Sequence, residues 1–350
     1  MENYQQFYSS YKGLKFWVIA ASFVIVVTGL KLASNLVTVF LIAVFLTAIS
    51  LSPFTWLRKK KVPDAIALIL VIIGLFVILS LFGLLISKTV NGFGERLPFY
   101  EEKLNNSWDN IHASLLSYGL IDASFNIKEI LKPSSLMSSS KNFIISLSGF
   151  IKNPFLVLFI FIFMAAEIKS FGKKLKTVAP ESLRGTEKVI KNIRLYFGIK
   201  TLTSLATGIL VYVTLLIVGV DFALLWGLLA FILNFIPSIG SIFAAVPAVL
   251  LAFIQLGTFE GIITGIAYLI INMVIGTFIE PQLMGRNLGL SPFVVFISMI
   301  FWGFILGPIG MLISAPLTMI LKIIFDSRPN TRAFGALLGD SASLKNYTNP

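Results

Sequence analysis

Apolar runs of about 18 residues or more recur along this 350-residue chain, each long enough to cross a hydrocarbon layer roughly 30 Å thick. Nothing else in the sequence constrains the fold as tightly. A soluble domain of this size carries a charged shell of roughly a quarter of its residues. Here 57% of residues are hydrophobic and only 13% charged. The chain reads as an all-α polytopic membrane protein.

Six full spans are expected at 14–32, 35–57, 64–86, 154–168 (with an amphipathic lead-in from 143), 197–218 and 260–279. Two longer stretches, 222–255 and 291–325, are interrupted. The first run follows Lys12 and Lys15 but has no small-residue cleavage site behind it, so it is expected to remain as a span. Five regions follow from this layout. They are an N-terminal scaffold of three spans (1–86), an extracytoplasmic segment (87–150), and a fourth span with a basic amphipathic segment (151–196). A core with the two broken stretches (197–325) and a cytoplasmic tail (326–350) complete it.

Positive charge orients the spans. Arg58 to Lys61 form one basic block, the segment 167–200 holds nine Lys/Arg against three acids, and the tail after Leu321 holds four against two. An even number of crossings between these blocks puts them all, and both termini, in the cytoplasm. On that reading the cytoplasmic face carries the whole net charge of +12. The basicity then has a topological cause, anionic lipid head groups are natural partners, and nucleic acid is not required. The outer segment has Leu104, Trp108, Ile111 and Leu115 at helical spacing, then the Ser-rich "PSSLMSSS". The segment 181–195 looks amphipathic and suited to the membrane surface.

The interrupted stretches carry the functional signal. Phe222–Gln255 would measure about 50 Å as one helix, too long for a single untilted crossing. Pro237 removes a backbone donor and Gly240 permits positive φ, so the helix breaks at "NFIPSIGS". "FILNFIPSIGSIFAAVPAVLLAFI" at 231–254 is paralleled by "FILGPIGMLISAPLTMILKII" at 304–324. Each has Phe-Ile-Leu, a Pro/Gly break, Ile-Gly and a second proline, Pro247 or Pro316. Paired breaks of this kind point to a transporter's binding site. Two architectures fit: half-membrane hairpins approaching from opposite sides, or two kinked full spans. Halves of about 15 residues are too short to cross, which favours hairpins.

The tips supply the candidate substrate-binding or gating residues: Asn234, Pro237, Ser238, Gly240 and Ser241 in the first, Gly307, Pro308 and Gly310 in the second. The plainer reading is a proline kink whose hydroxyls satisfy loosened backbone. Asn272, amid apolar neighbours, serves either as helix–helix glue or as a substrate contact. Glu280 at a membrane boundary takes up a proton or cation, or pairs with Arg286 to fix the loop. Pro281, Gly285, Arg286 and Gly289 are candidate loop-shaping residues. Lys200, with Tyr196 beside it, is expected to snorkel to the cytoplasmic surface. Asp221 and Glu260 are expected as solvated ends. Gly261/Gly265 and Gly303/Gly307 read as close-packing faces. His112, the only histidine, reads as a surface residue.

Three ordered motifs carry a resemblance: "GVDFALLWGLLAFILNFIPSIGSIFAAVPAVLLAFIQLG", "EPQLMGRNLGLSPFVVFISMI" and "GPIGMLISAPLTMILKII". Over about 180–325 the chain resembles the autoinducer-2 exporter family of bacterial inner-membrane proteins. The resemblance implies two half-membrane hairpins, a homopentamer, elevator-like transport and a link to quorum sensing. It marks Pro237, Gly240, Pro247, Glu280, Pro281, Met284, Gly285, Leu288, Gly289, Pro292, Gly307, Gly310 and Pro316 as motif positions. Ser238 departs from the Tyr or Val frequent at its place.

Enzymatic readings find no footing. There is no GxxxxGK[ST] for nucleotide phosphates, no HExxH, and one histidine without cysteine offers no soft-ligand metal site. No catalytic residue, metal or cofactor is expected. The expected function is a secondary transporter of the bacterial plasma membrane exporting a small polar solute of the autoinducer-2 type. The alternatives are a monovalent cation (Na⁺)/proton antiporter, a channel, and a non-transporting scaffold or sensor.

Overall fold

The computed structural model describes residues 2–118, 154–178, 180–237, 239–284, 289–327 and 331–340. All regular structure among them is helical: α1 (Glu2–Leu32), α2 (Ser34–Lys59), α3 (Asp64–Ser117), α4 (Pro154–Val178), α5 (Pro180–Val218), α6 (Ala223–Leu233), α7 (Gly240–Gln255), α8 (Thr258–Met284), α9 (Pro292–Leu306), α10 (Pro308–Leu312), α11 (Ser314–Asp326) and α12 (Arg332–Leu338). Four of the described helices are long and apolar enough to cross a membrane, within 34–59, 64–106, 191–218 and 258–284. Trp17–Leu32 of α1 and Phe155–Glu167 of α4 are shorter apolar stretches.

Prolines begin α4, α5, α9 and α10, where the missing N–H costs nothing and φ is already helical. Gly219, at φ 89°, ends α5, and the N–H groups of Gly219 and Val220 both donate to the Leu215 carbonyl. Two helices run on where the sequence suggested separate pieces. α3 is one helix of 54 residues, about 80 Å long. It joins the third span to the helix expected in the extracytoplasmic segment. The segment 181–195 likewise continues into the fifth span as α5 and does not form a separate surface helix.

Both broken stretches fold back on themselves. At the ends of the first, the Asp221 N–H donates to Gln255 Oε1 (2.8 Å), and Gln255 Nε2 donates to the Gly219 carbonyl (3.3 Å). A straight or merely kinked helix would hold those residues some 50 Å apart. The Cβ position of Gly240 would collide with the Leu233 carbonyl, so the turn closes only around a glycine. In the second, α9 and α11 lie side by side, joined by a 3.1 Å hydrogen bond from Trp302 Nε1 to Thr318 Oγ1. Gly307 turns at φ 70° and Gly310 packs its Cα against the Trp302 carbonyl.

α5 acts as a ruler between the hairpins. Its early residues Ile193, Tyr196 and Phe197 pack into the apolar core of α9–α11, with Phe45 and Ala48 of α2. Its late residues Val211 and Leu215 pack into the core of α6–α7, with Phe93 and Tyr100 of α3. The second hairpin thus packs on the middle of α5 and the first nearer its C-terminal end. Their tips touch, since Phe235 of the first break packs on the core of α9–α11, and Met311 and Leu312 of the second pack on the core of α6–α7. A third small core joins Ala43, Val71 and Phe161 of α2, α3 and α4.

In lipid, helix association rests on close packing and small residues. Gly240, Ala244, Ala248 and Ala252 recur every four residues along one buried face of α7. On α8, a Cβ at Gly261 would run into the Phe253 ring, so that member of the expected GxxxG pair is a close contact. Apolar side chains outside the cores, such as Ile73 and Phe76 on α3 or Leu269 and Met273 on α8, are exposed, as hydrocarbon-facing positions are.

Candidate functional site

α5 supplies the centre of the site. Lys200, Thr203, Ser204 and Thr207 lie three or four residues apart, on one helical face, and all are buried. Lys200, at 4% exposure, is a cation deep in a membrane helix, which is costly without compensation. Its Nζ donates to both carboxylate oxygens of Glu280, at 2.6 and 2.8 Å. The hydroxyl of Thr203 lies 3.4 Å from Glu280 Oε2 and 3.2 Å from the Lys200 carbonyl, so its single proton is shared between them. Thr207 donates to the Thr203 carbonyl at 2.9 Å.

One turn beyond Lys200, Ser204 receives a 3.1 Å hydrogen bond from Nδ2 of Asn234. Asn234 is the first residue of the break between α6 and α7 and is buried. The break of hairpin one and the carboxylate of α8 therefore meet on the same face of α5. Near them, the Tyr196 hydroxyl is buried without a hydrogen-bond partner among the described residues, as is that of Tyr268 on α8.

α8 changes winding where it approaches this seam. Residues Met273–Ile279 form a π-helical stretch between Asn272 and Glu280. Such stretches are rare and concentrate at functional sites. The wider turn re-aims Glu280 relative to the regular helix before it, toward Lys200. Asn272 is the last regular residue and is half-buried.

The remaining candidates spread out. Gly240 is buried at the start of α7, and Pro237 and Ser241 flank it half-buried. Gly310 is buried at the second tip, and Pro308 is exposed at the start of α10. Pro281 is exposed, and Gly289 turns at φ 57°. Ser238, Gly285 and Arg286 lie outside the described residues, as do 119–153, which hold the Ser-rich loop and the lead-in to α4.

Two expectations about charge are overturned. Lys200 does not snorkel to the surface, because Glu280 neutralises it in place; the carboxylate thereby gains a described partner other than Arg286. Asp221 is not a freely solvated end. Its Oδ2 accepts from Arg96 Nη1 at 2.7 Å and from Tyr100 Oη at 2.6 Å. Thr203, Ser204 and Thr207 were not singled out from sequence. Their signal was there: Lys200/Ser204 and Thr203/Thr207 are two i, i+4 pairs of polar residues inside one apolar span.

No group of three or more His, Cys, Asp or Glu able to hold a metal ion occurs among the described residues. What the seam offers is one compensated charge pair, three hydroxyls and an amide in a dry environment. The seam lies in a multi-pass helical membrane protein, where α5 brings together the break of the first hairpin and the carboxylate of α8.

The comparisons agree. Residues 20–330 match the model of the AI-2E family transporters, and the chain belongs to that family. It is 37% identical over 336 residues to a putative transport protein of Haemophilus influenzae, covering 93% of this chain and 96% of the relative. It is 31% identical to the AI-2 transport protein TqsA of Escherichia coli, covering 94% and 96%. A putative transport protein of Borreliella burgdorferi is 31% identical over 358 residues, covering 97% and 96%.

Proposed function

We propose that this protein is a secondary transporter of the bacterial inner membrane that exports a small polar solute of the autoinducer-2 type. The observation that carries the reading is the buried Lys200–Glu280 pair joined through α5 to Asn234 of the first hairpin. A solute with hydroxyl and carbonyl groups can exchange partners with Ser204, Asn234 and the ion pair without leaving a charge bare. Hairpins α6–α7 and α9–α11 act as re-entrant gates, one from each side. The basic blocks face the cytoplasm with both termini, and Arg194 of one block donates to Ser52 on α2, six residues before the Arg58–Lys61 block. Hairpins and α8 move as an elevator-like unit in a homopentamer among membrane lipids. The name of the TqsA relative supports the solute class.

The test is release of autoinducer-2 from loaded proteoliposomes, with and without an imposed proton gradient. Protein-dependent release that responds to the gradient and disappears in Lys200→Met is the expected result. Release no faster than from protein-free vesicles would end the solute-export reading.

The ion pair favours a second reading, monovalent cation/proton exchange, in which a cation replaces the Lys200 ammonium on Glu280. It predicts Na⁺-dependent quenching of a pH dye trapped in the same vesicles, lost in Glu280→Gln. A dye signal indifferent to Na⁺ would remove it.

A further inference from the structure

We propose that the part of α3 beyond the membrane is a lock on the first hairpin, with Asp221 as its bolt. Residues 64–86 suffice for a crossing, yet α3 continues to Ser117 and lays a row of side chains across the hairpin's open end. Arg96 and Tyr100 both donate to Asp221 Oδ2. Lys103 Nζ donates to the Gln255 carbonyl at 2.8 Å, on the other arm of the hairpin. Gln255 in turn ties Asp221 and Gly219 together through its side chain. One face of α3 thus grips both arms at once.

The packing beneath repeats the grip. Phe93 stands edge-on to Phe222 (5.7 Å between centroids) and to Trp226 (5.6 Å), and Trp226 Nε1 donates to the Asp221 carbonyl at 3.0 Å. Trp226 and Tyr100 are fully buried. Phe222 is held at φ 57°, a left-handed conformation unusual for a residue of its bulk. Such backbone persists where surrounding contacts over-determine it, and it clusters at switch regions and ligand clamps. Here the contacts come from α3. Moving Asp221 away from Arg96 and Tyr100 removes the restraint and lets the hairpin's arms part.

The bolt is polar and reversible, unlike the rest of this core. Arg96 and Asp221 remain partly exposed, with side-chain exposures of 60% and 27%, so water can take over their hydrogen bonds when they separate. The lock rests on the reading of the first hairpin as a moving gate, and it assigns to the α3 extension the work of holding that gate shut.

The experiment uses the absence of cysteine from the chain. Ala252→Cys places a reporter at a fully buried site near the open end of hairpin one, and Ala315→Cys places one in the buried core of hairpin two. The full-length protein in lipid nanodiscs is reacted with a maleimide, with and without Asp221→Asn or Arg96→Met. Labelling reports the fraction of time a buried thiol is opened to solvent. The lock predicts that each variant speeds labelling at position 252 by about tenfold, the weight of one charge-assisted hydrogen bond, and leaves position 315 unchanged. Unchanged labelling at 252 in both variants overturns the lock. An equal rise at both reporters overturns it too, because it shows general loosening. The readout is motion and not transport, so absent solute release leaves this result standing on its own.

Discussion

The two hairpins share a device and differ in what surrounds it. In each, a glycine beyond the break packs its Cα against a carbonyl seven or eight residues earlier, in the apolar helix before the break: Gly240 on Leu233, Gly310 on Trp302. The first break puts a buried amide, Asn234, against a polar face of α5. The second turns through Gly307 into the short α10, and its cross-link is one indole-to-hydroxyl bond. Their open ends differ as well. The first is held by charged side chains of α3, the second by α12, where the Ser291 N–H donates to the Leu338 carbonyl and Gly335 packs on Asp326. One backbone solution therefore serves two roles: a chemically equipped tip and a packed one.

The comparison breaks hardest at the ion pair. Removing one partner of a buried pair leaves a bare charge and costs about 3–5 kcal/mol. Lys200→Met should lower the unfolding midpoint sharply and abolish transport. The double variant Lys200→Met/Glu280→Gln should recover most of the stability, because no charge is left unmatched, yet remain inactive. Thermal unfolding of the purified protein together with vesicle flux separates the two effects. Recovery of flux along with stability would reduce the pair to a structural role.

The glycines come next, and here the hairpins should behave alike. Gly240→Ala and Gly310→Ala each drive a methyl group into a backbone carbonyl. Overpacking of this kind costs about 1–3 kcal/mol. Both variants should lose stability by similar amounts, measured as a drop in unfolding midpoint. A loss confined to Gly240 would mean the shared turn geometry is not equally essential.

The spans and both breaks were legible because lipid demands long apolar runs and because closely spaced Pro and Gly, at Pro237/Gly240 and Gly307/Pro308/Gly310, interrupt them. Asn234 and Glu280 stood out for the same reason, as polar groups where polarity is expensive. The partner of each was not legible. Depth in a span follows from sequence position, but which face of α5 turns toward α8 follows only from packing. Lys200 therefore read as a surface-seeking cation. Asp221 read as solvated because its partners, Arg96 and Tyr100, lie some 120 residues away, and nothing in the sequence shows that the helix carrying them lies across the first hairpin. The π-helical stretch before Glu280 leaves no mark in composition at all.

The smallest predicted effect discriminates most finely between the two hairpins. Asn234→Ala removes the 3.1 Å bond to Ser204, and Thr318→Val removes the 3.1 Å bond from Trp302. Within membranes such bonds average about 0.6 kcal/mol, so both variants should fold with unfolding midpoints within a few degrees of the parent. Flux should separate them. Asn234 sits on the polar seam and its loss should slow transport severalfold, whereas Thr318 fastens two helices whose packing survives without it. Equal slowing in both would show that rigidity of the hairpins, and not the polarity of the first tip, limits movement of solute. Slowing in Thr318→Val alone would invert the comparison and put the equipped tip at the second hairpin.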